Sequence, residues 1–388
     1  MHQIDKKHLN KQTRLIQSGQ AHPSLGGIIN PPVERASTIV HQTVEELDNP
    51  SKKKFTYGIR GTNTSFALRA AITELEGAFD TVLYPSGLNA IKEVILAFCR
   101  SGDHILVCDH VYEPTRSFCD QILKNFGVEV EYFDSMNCES LKKKLKANSV
   151  LVFLETPGSL TFEIPDITAL AKIAKQAGLL SVIDNTWAGG FLFNPIAEGI
   201  DISLQALTKY VCGHSDVLMG SAACADQTVF KQLWKHFSLS GTYIGPDDIY
   251  LVLRGLRTMA VRLQHHDHSA RKIVAYLKQH PIVKSILHPM IEDHPGHQYW
   301  KKYFSGANGL FGFTMAKRPR KQLAKMLDHM TLFKMGYSWG GFESLILPTD
   351  PYRTASQWST GIQTMRLHVG LEHPDDLIND LSMGFARL

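Results

Sequence analysis

The chain has 388 residues, 44% of them hydrophobic and 20% charged, which excludes a disordered or fibrous protein and allows two or three domains with a core of their own. Lysine plus arginine exceed aspartate plus glutamate by 41 − 37 = 4; the excess is spread along the chain, so nucleic acid is not expected as a partner. No run approaches 18 uninterrupted apolar residues, the first twenty residues lack the apolar stretch of a secretion signal, and none of the six cysteines forms a Cys-x-x-Cys pair, so the expectation is a soluble cytoplasmic protein with free thiols and no membrane contact.

Residues 1–60 contain Gly26-Gly27, Pro31-Pro32 and Lys52-Lys53-Lys54 and predict an extended arm rather than a domain. From Thr64 the pattern becomes regular. Phe66, Leu68, Ala71, Ile72 and Leu75 have helical spacing. A strand at Thr81–Tyr84 leads into a helix from Leu88 to Arg100, then a strand at His104–Cys108 and a helix from Pro114 to Phe126. Strands at Val128–Phe133 and Ser149–Leu154 precede a helix from Asp166 to Gln176 closed by Gly178. Leu179–Ile183 and Ile202–Ala206 are further apolar runs. Strands alternating with helices predict an α/β fold with a mostly parallel sheet covered by helices on both faces. One long helical stretch, Asp248 to Gln279, leads to a smaller C-terminal α+β unit, with strands near Ile282–Leu287, Leu310–Met315 and Met365–Val369 and helices near Gln322–His329 and Asp375–Phe385. The expected division is an arm over 1–60, a large domain over 61–250 and a C-terminal domain over 251–388.

Ligands of parallel sheets sit beyond the carboxyl ends of the strands. Pro85-Ser86-Gly87-Leu88-Asn89-Ala90 follows the first strand and opens a helix, which makes either a phosphate cradle or a plain tight turn. Asp184 ends an apolar run and serves as a helix cap, a metal ligand or the partner of a cationic ring nitrogen. Lys209, in Thr208-Lys209-Tyr210, follows another apolar run; it is either a desolvated amine with a lowered pKa or a lysine reaching to water from a strand end. A phosphate cradle, a strand-end acid and a lysine on neighbouring strands are together what pyridoxal phosphate requires, and Tyr112, after the strand at His104–Cys108, is placed to stack on its ring.

Tyr57-Gly58-Ile59-Arg60-Gly61-Thr62, Ser86-Gly87-Leu88-Asn89-Ala90, Tyr112-Glu113-Pro114, Glu155-Thr156-Pro157-Gly158-Ser159, Asp184-Asn185-Thr186-Trp187, Thr208-Lys209-Tyr210 with Gly213-His214-Ser215-Asp216, and Tyr337-Ser338-Trp339-Gly340-Gly341 with Glu343-Ser344-Leu345 occur in that order. This set resembles the Cys/Met-metabolism family of pyridoxal-phosphate enzymes of fold type I, and within it the bacterial β-lyase branch. The resemblance runs from the arm to the last helix. It implies that Lys209 binds pyridoxal 5'-phosphate covalently and moves the substrate Cα proton. Asp184 would face the pyridinium nitrogen and Tyr112 would stack on the ring. The Gly87 and Leu88 N–H groups and the Thr208 hydroxyl would hold the phosphate. Arg366 would grip the substrate carboxylate, and Tyr337, Ser338 and Trp339 would line its pocket. Tyr57 would enter the active site of a neighbouring subunit, in a homotetramer built from two dimers with shared sites. The implied reaction is α,β-elimination from a thioether amino acid such as cystathionine, with γ-elimination or cysteine desulfhydration as alternatives. No metal is implied.

Three positions depart from the family pattern. Ile59 stands where Tyr-x-Arg is usual, so Arg60 becomes the candidate for the phosphate contact; Ala206 replaces a serine; Ser159 replaces an asparagine, as in the bacterial β-lyases. Gly336-Tyr337-Ser338-Trp339-Gly340 also matches the nucleophile elbow of serine hydrolases, with Asp350 and His368 following, but the residues after it have strand character where an elbow requires a helix. His265-His266-Asp267-His268 cannot share one helix face as a metal set and reads as a solvated polar face.

Overall fold

The computed structural model describes residues 8–20, 26–50, 53–359 and 361–388; residues 1–7, 21–25, 51, 52 and 360 lie outside it, and with them Lys52 and part of the expected arm. The described arm holds α1 (Lys11–Gln17) and α2 (Val44–Asp48), two short helices where only extended chain was expected. Then come α3 (Asn63–Glu76), β1 (Asp80–Tyr84), α4 (Gly87–Phe98), β2 (His104–Cys108), α5 (Glu113–Gln121), β3 (Glu129–Phe133), α6 (Cys138–Lys143), β4 (Ser149–Glu155), α7 (Ile167–Gln176), β5 (Leu180–Asp184), β6 (Ile202–Ala206), β7 (Gly220–Cys224), α8 (Gln227–Ser240), α9 (Pro246–Leu256) and α10 (Met259–Gln279). The remainder is β8 (Val283–Leu287), α11 (His297–Tyr303), β9 (Leu310–Ala316), α12 (Arg320–Leu327), β10 (Leu345–Thr349), β11 (Ile362–His368) and α13 (Pro374–Phe385).

The large sheet has the order β1-β7-β6-β5-β4-β2-β3. Only β7 runs against its neighbours β1 and β6; the others share one direction, so the mostly parallel sheet is as expected. All five residues of β2 and Leu151–Leu154 of β4 are buried, which is what a sheet covered on both faces demands of its sequence. The four-stranded sheet has the order β10-β11-β9-β8, and Pro348 falls on its edge strand β10, where a missing N–H costs no ladder bond.

Two apolar cores form. One surrounds the large sheet; the other lies between the small sheet and α10, α12 and α13. Helix α10 belongs to both. Met259, Ala260 and Leu263 enter the first core, and Ala270, Ile273, Val274 and Leu277 the second.

Three further expectations need correction. The single helix from Asp248 to Gln279 is two helices, α9 and α10. Arg262 donates to Gly255 O at 2.8 Å and the Thr258 hydroxyl donates to the same oxygen at 3.2 Å, so side chains take a carbonyl that a continuous helix would use. The helix from Pro114 ends at Gln121, followed by a 3₁₀ turn at Leu123–Phe126 that buries Leu123 and closes on Gly127 at φ 77°. Within the histidine cluster, His266 is fully buried, so it is no part of a solvated face. Its Nδ1 lies 2.8 Å from Val369 O, and its ring contacts those of Tyr210 and His368.

Candidate active site

Strands β4, β5 and β6 end side by side at Glu155, Asp184 and Ala206, with Glu155 and Asp184 in register. The segment after β2 carries Tyr112, and the segment after β6 carries Thr208 and Lys209. From the small sheet, Arg366 at the middle of β11 and the turn before β10 close over the same strand ends.

Lys209 Nζ donates to Ser338 Oγ at 2.7 Å and lies 5.4 Å from the centroid of the Trp339 ring. Burial pulls its pKa down to about 8; the Arg366 charge adds to the shift and Asp184 opposes it. An ordinary lysine is a poor base at neutral pH, whereas this amine loses its proton readily. Ser338 has φ 74°, a left-handed conformation that a non-glycine residue adopts only when its surroundings hold it. The holding bonds are visible: Arg366 Nη2 donates to Ser338 O at 3.0 Å and Gly336 O at 3.3 Å, and Gly340 N donates to His368 Nε2 at 3.1 Å.

Asp184 sits where burial pushes its pKa up and bonds from Thr186 pull it down; Thr186 N donates to its Oδ1 at 2.9 Å. Tyr112 leads into α5, and its N–H donates to Glu155 Oε2 at 2.6 Å. The residue is 43% exposed, so its side chain is half-buried at the site rather than part of the core. Burial raises the Tyr112 hydroxyl pKa, and the Glu155 and Asp184 charges add to the shift. Lys209, Asp184, Tyr112, Arg366, Ser338 and Trp339 therefore converge on one pocket.

The cradle lies beside it. Ser86 caps α4 by accepting from Asn89 N at 3.1 Å, which leaves the first-turn N–H groups of Gly87 and Leu88 at the positive end of the helix dipole. Glycine is required at 87, because a Cβ there would stand 2.5 Å from the Ala206 methyl. The Thr208 hydroxyl donates to Met219 O at 3.2 Å and accepts from Met219 N at 3.0 Å, so its proton serves the β6–β7 connection.

Other candidates do not join this group. Tyr57, 49% exposed, precedes a 3₁₀ turn at Gly58–Arg60. Arg60 lines a separate cavity with Glu34, Arg69, Trp234 and Tyr243. Tyr337 is 91% exposed beside its pocket-facing neighbours. The elbow reading fails on geometry, since Ser338 meets Lys209, His368 meets Gly340, and β10 follows instead of a helix. Among the described residues, His104, Glu129 and Glu131 bring possible metal-ligand atoms within 4.8 Å of one another, but Lys144 and Lys146 hold both carboxylates.

A family model described as Cys/Met metabolism PLP-dependent enzyme matches residues 12–386. The chain belongs to the Cys/Met metabolism family of PLP-dependent enzymes. A cystathionine beta-lyase from Escherichia coli is 40% identical over 388 residues, covering 97% of this chain and 98% of that protein. An L-alanine/L-glutamate racemase from Wolbachia pipientis is 36% identical, covering 98% of each. The crystal structure of a cystathionine gamma-lyase from Lactobacillus plantarum complexed with L-serine superposes with a TM-score of 0.88 at 29% identity, covering 98% of this chain and 99% of that one.

The residues present fit pyridoxal phosphate. A PLP-dependent enzyme of this family needs an anion site, a buried acid and an amine of low pKa within one pocket, and the α4 N-terminus, Asp184 and Lys209 supply them. Two residues beside the pocket carry no role in the sequence reading. Glu155 ends the apolar run of β4 as Asp184 ends that of β5, and that shared pattern was the available signal. Asp109 follows β2 and accepts N–H bonds from Thr354, Ala355 and Ser356 at 2.7–3.1 Å and from Arg116 at 2.8 Å, which ties the chain between β10 and β11 to the large sheet. No sequence spacing announces that pairing.

Proposed function

We propose that the chain is a carbon–sulfur lyase that cleaves L-cystathionine with one water to L-homocysteine, pyruvate and ammonia. The observation that carries this reading is the desolvated Lys209 amine bonded to Ser338 in one pocket with Asp184 and Arg366. The full-length similarity to a cystathionine beta-lyase supports the choice of substrate.

Arg366 binds the substrate α-carboxylate as a fork and so fixes the Cα–H bond relative to Lys209. Bound pyridoxal phosphate supplies the electron sink that makes the Cα proton removable. Lys209 takes that proton; Ser338, by accepting an N–H, aims the amine. The Cβ–S bond then breaks and sulfur leaves as thiolate. The Gly87 and Leu88 N–H groups would hold the phosphate, Asp184 would keep the ring nitrogen protonated, Tyr112 would pack on the ring, and Trp339 and the exposed Tyr337 would border the thioether arm.

In this reading residues 1–60 are an arm, 61–250 the cofactor domain and 251–388 the substrate domain. Tyr57 and Arg60 serve the site of a neighbouring subunit in a tetramer of two dimers, for which the exposure of Tyr57 is the support. The protein acts in the cytoplasm. Among the described residues no helix is long and apolar enough to cross a membrane.

Mass spectrometry of products from L-cystathionine tests the reading. Homocysteine and pyruvate are expected; cysteine and 2-oxobutyrate would move the enzyme to γ-elimination. A second reading, amino-acid racemisation, rests on the Wolbachia relative. It begins with the same proton removal and returns the proton to the opposite face. Conversion of L-alanine to D-alanine without cleavage of cystathionine would establish it instead.

A further inference from the structure

We propose that Glu155 is a positioning residue of this site, holding the Tyr112 main chain over the pocket while its carboxyl stands beside that of Asp184. The inference rests on the cofactor reading above.

Three observations meet at this side chain. Its Oε2 accepts the Tyr112 N–H at 2.6 Å, the bond that fixes the entry to α5 and with it the direction of the tyrosine ring. It is the register partner of Asp184 on the adjacent parallel strand, so two carboxyl groups leave neighbouring strand ends toward one pocket. The segment from 109 to 112 is also anchored at its other end, where the Asp109 carboxylate takes the N–H groups of residues 354–356. Tyr112 is therefore placed by two acids, one on each side.

Two carboxylates side by side on adjacent strand ends resist ionising together. The groups facing Glu155 are Asp184 from β5, Cys108 from β2, Tyr112 from the β2–α5 turn and Arg353 from the chain after β10. Burial and the Asp184 charge raise the Glu155 pKa well above the ordinary range, against the Tyr112 N–H bond and Arg353. Burial raises the Asp184 pKa as well, but two bonds from Thr186 and the Lys209 charge oppose that rise. We place the shared proton on Glu155, the more strongly shifted of the two, which leaves Asp184 the negative charge that a pyridinium nitrogen requires. A neutral Glu155 still accepts the Tyr112 N–H through its carbonyl oxygen.

Glutamine reproduces the neutral acid in shape and acceptor; alanine removes the acceptor; aspartate withdraws the carboxyl by one methylene. Each holoenzyme variant is tested by its visible cofactor band titrated against pH and by kcat and KM for L-cystathionine. Glu155→Gln is expected to keep the parent midpoint and kcat within about twofold. Glu155→Ala and Glu155→Asp are expected to lose about ten- to hundredfold in kcat while retaining the cofactor, as expected when a misplaced contact rather than a missing catalytic group is at fault. A Glu155→Gln midpoint displaced by about one pH unit would mean that Glu155 is ionised and would overturn the proposal. Unchanged kcat in Glu155→Ala would overturn it too. A parent protein that binds no cofactor would instead defeat the reading on which the inference rests.

Discussion

The large sheet carries the same residue types at both of its ends with opposite outcomes. At the amino ends of β2 and β3, Glu129 and Glu131 meet Lys144 and Lys146 in exposed or half-exposed surface pairs at 2.5–3.0 Å. Hydrogen bonds from these lysines lower the Glu131 pKa, and bonds to the acids raise that of Lys146. At the carboxyl ends, burial raises the pKa values of Asp184 and Glu155 and lowers that of Lys209 to about 8. In water, pairing stabilises the charged forms; in the pocket, desolvation opposes them. The lesson is that reactivity here comes from where the strand ends lie and not from which side chains they carry.

The largest effect expected to sharpen this contrast is that of Lys209→Ala. Turnover falls at least about 10³-fold while the circular dichroism spectrum stays that of a folded protein. Full activity in that variant would break the comparison. Next is amine reactivity in the cofactor-free protein. At pH 8 about half of an amine with pKa 8 is neutral, against under about 1% for a lysine at or above its usual value. Acylation followed by peptide mass spectrometry is expected to label Lys209 about a hundredfold faster than Lys146. Arg366→Lys keeps the charge and loses the fork, so kcat/KM should fall about ten- to hundredfold, most of it through KM.

A smaller effect concerns acid stability. Burial alone would raise the Asp109 pKa, but N–H bonds from Thr354, Ala355 and Ser356 and the Ser356 hydroxyl bring it down to about 2. Because the folded value is depressed, this stabilisation is present above about pH 4 and is lost as pH falls toward 2. Asp109→Asn should remove roughly 1–2 kcal/mol at pH 6 and flatten the fall in stability between pH 4 and 2, read from denaturant midpoints. The smallest effect is that of Lys146→Ala, for which Tm and kcat/KM are expected to stay at parental values. A loss of activity there would contradict the division of labour between the two sheet ends.

Much of this was legible in the sequence. Alternating apolar runs and helices gave the parallel sheet, and the acid and lysine at run ends pointed to the pocket. Strand β7 was not legible, because Gly220, Ser221, Ala222, Ala223 and Cys224 carry no β-branched or aromatic side chain and are buried by their place between β1 and β6. The break between α9 and α10 depends on Arg262 reaching back to Gly255, a contact that periodicity does not reveal. His266 continues the buried spacing of Met259, Leu263, Ala270 and Ile273, and only its polarity concealed that. The Ser338 conformation and its contact with Lys209, 129 residues away in sequence, exist only once the small sheet closes over the large one.

The central claim is that Lys209 is the residue that carries the cofactor. Holoenzyme reduced with borohydride, digested and read by peptide mass spectrometry tests it most directly. The account predicts a pyridoxyl-phosphate mass on the peptide containing Thr208-Lys209-Tyr210 and on no other. The same mass on a different lysine, or no labelled peptide from a yellow protein, would contradict it.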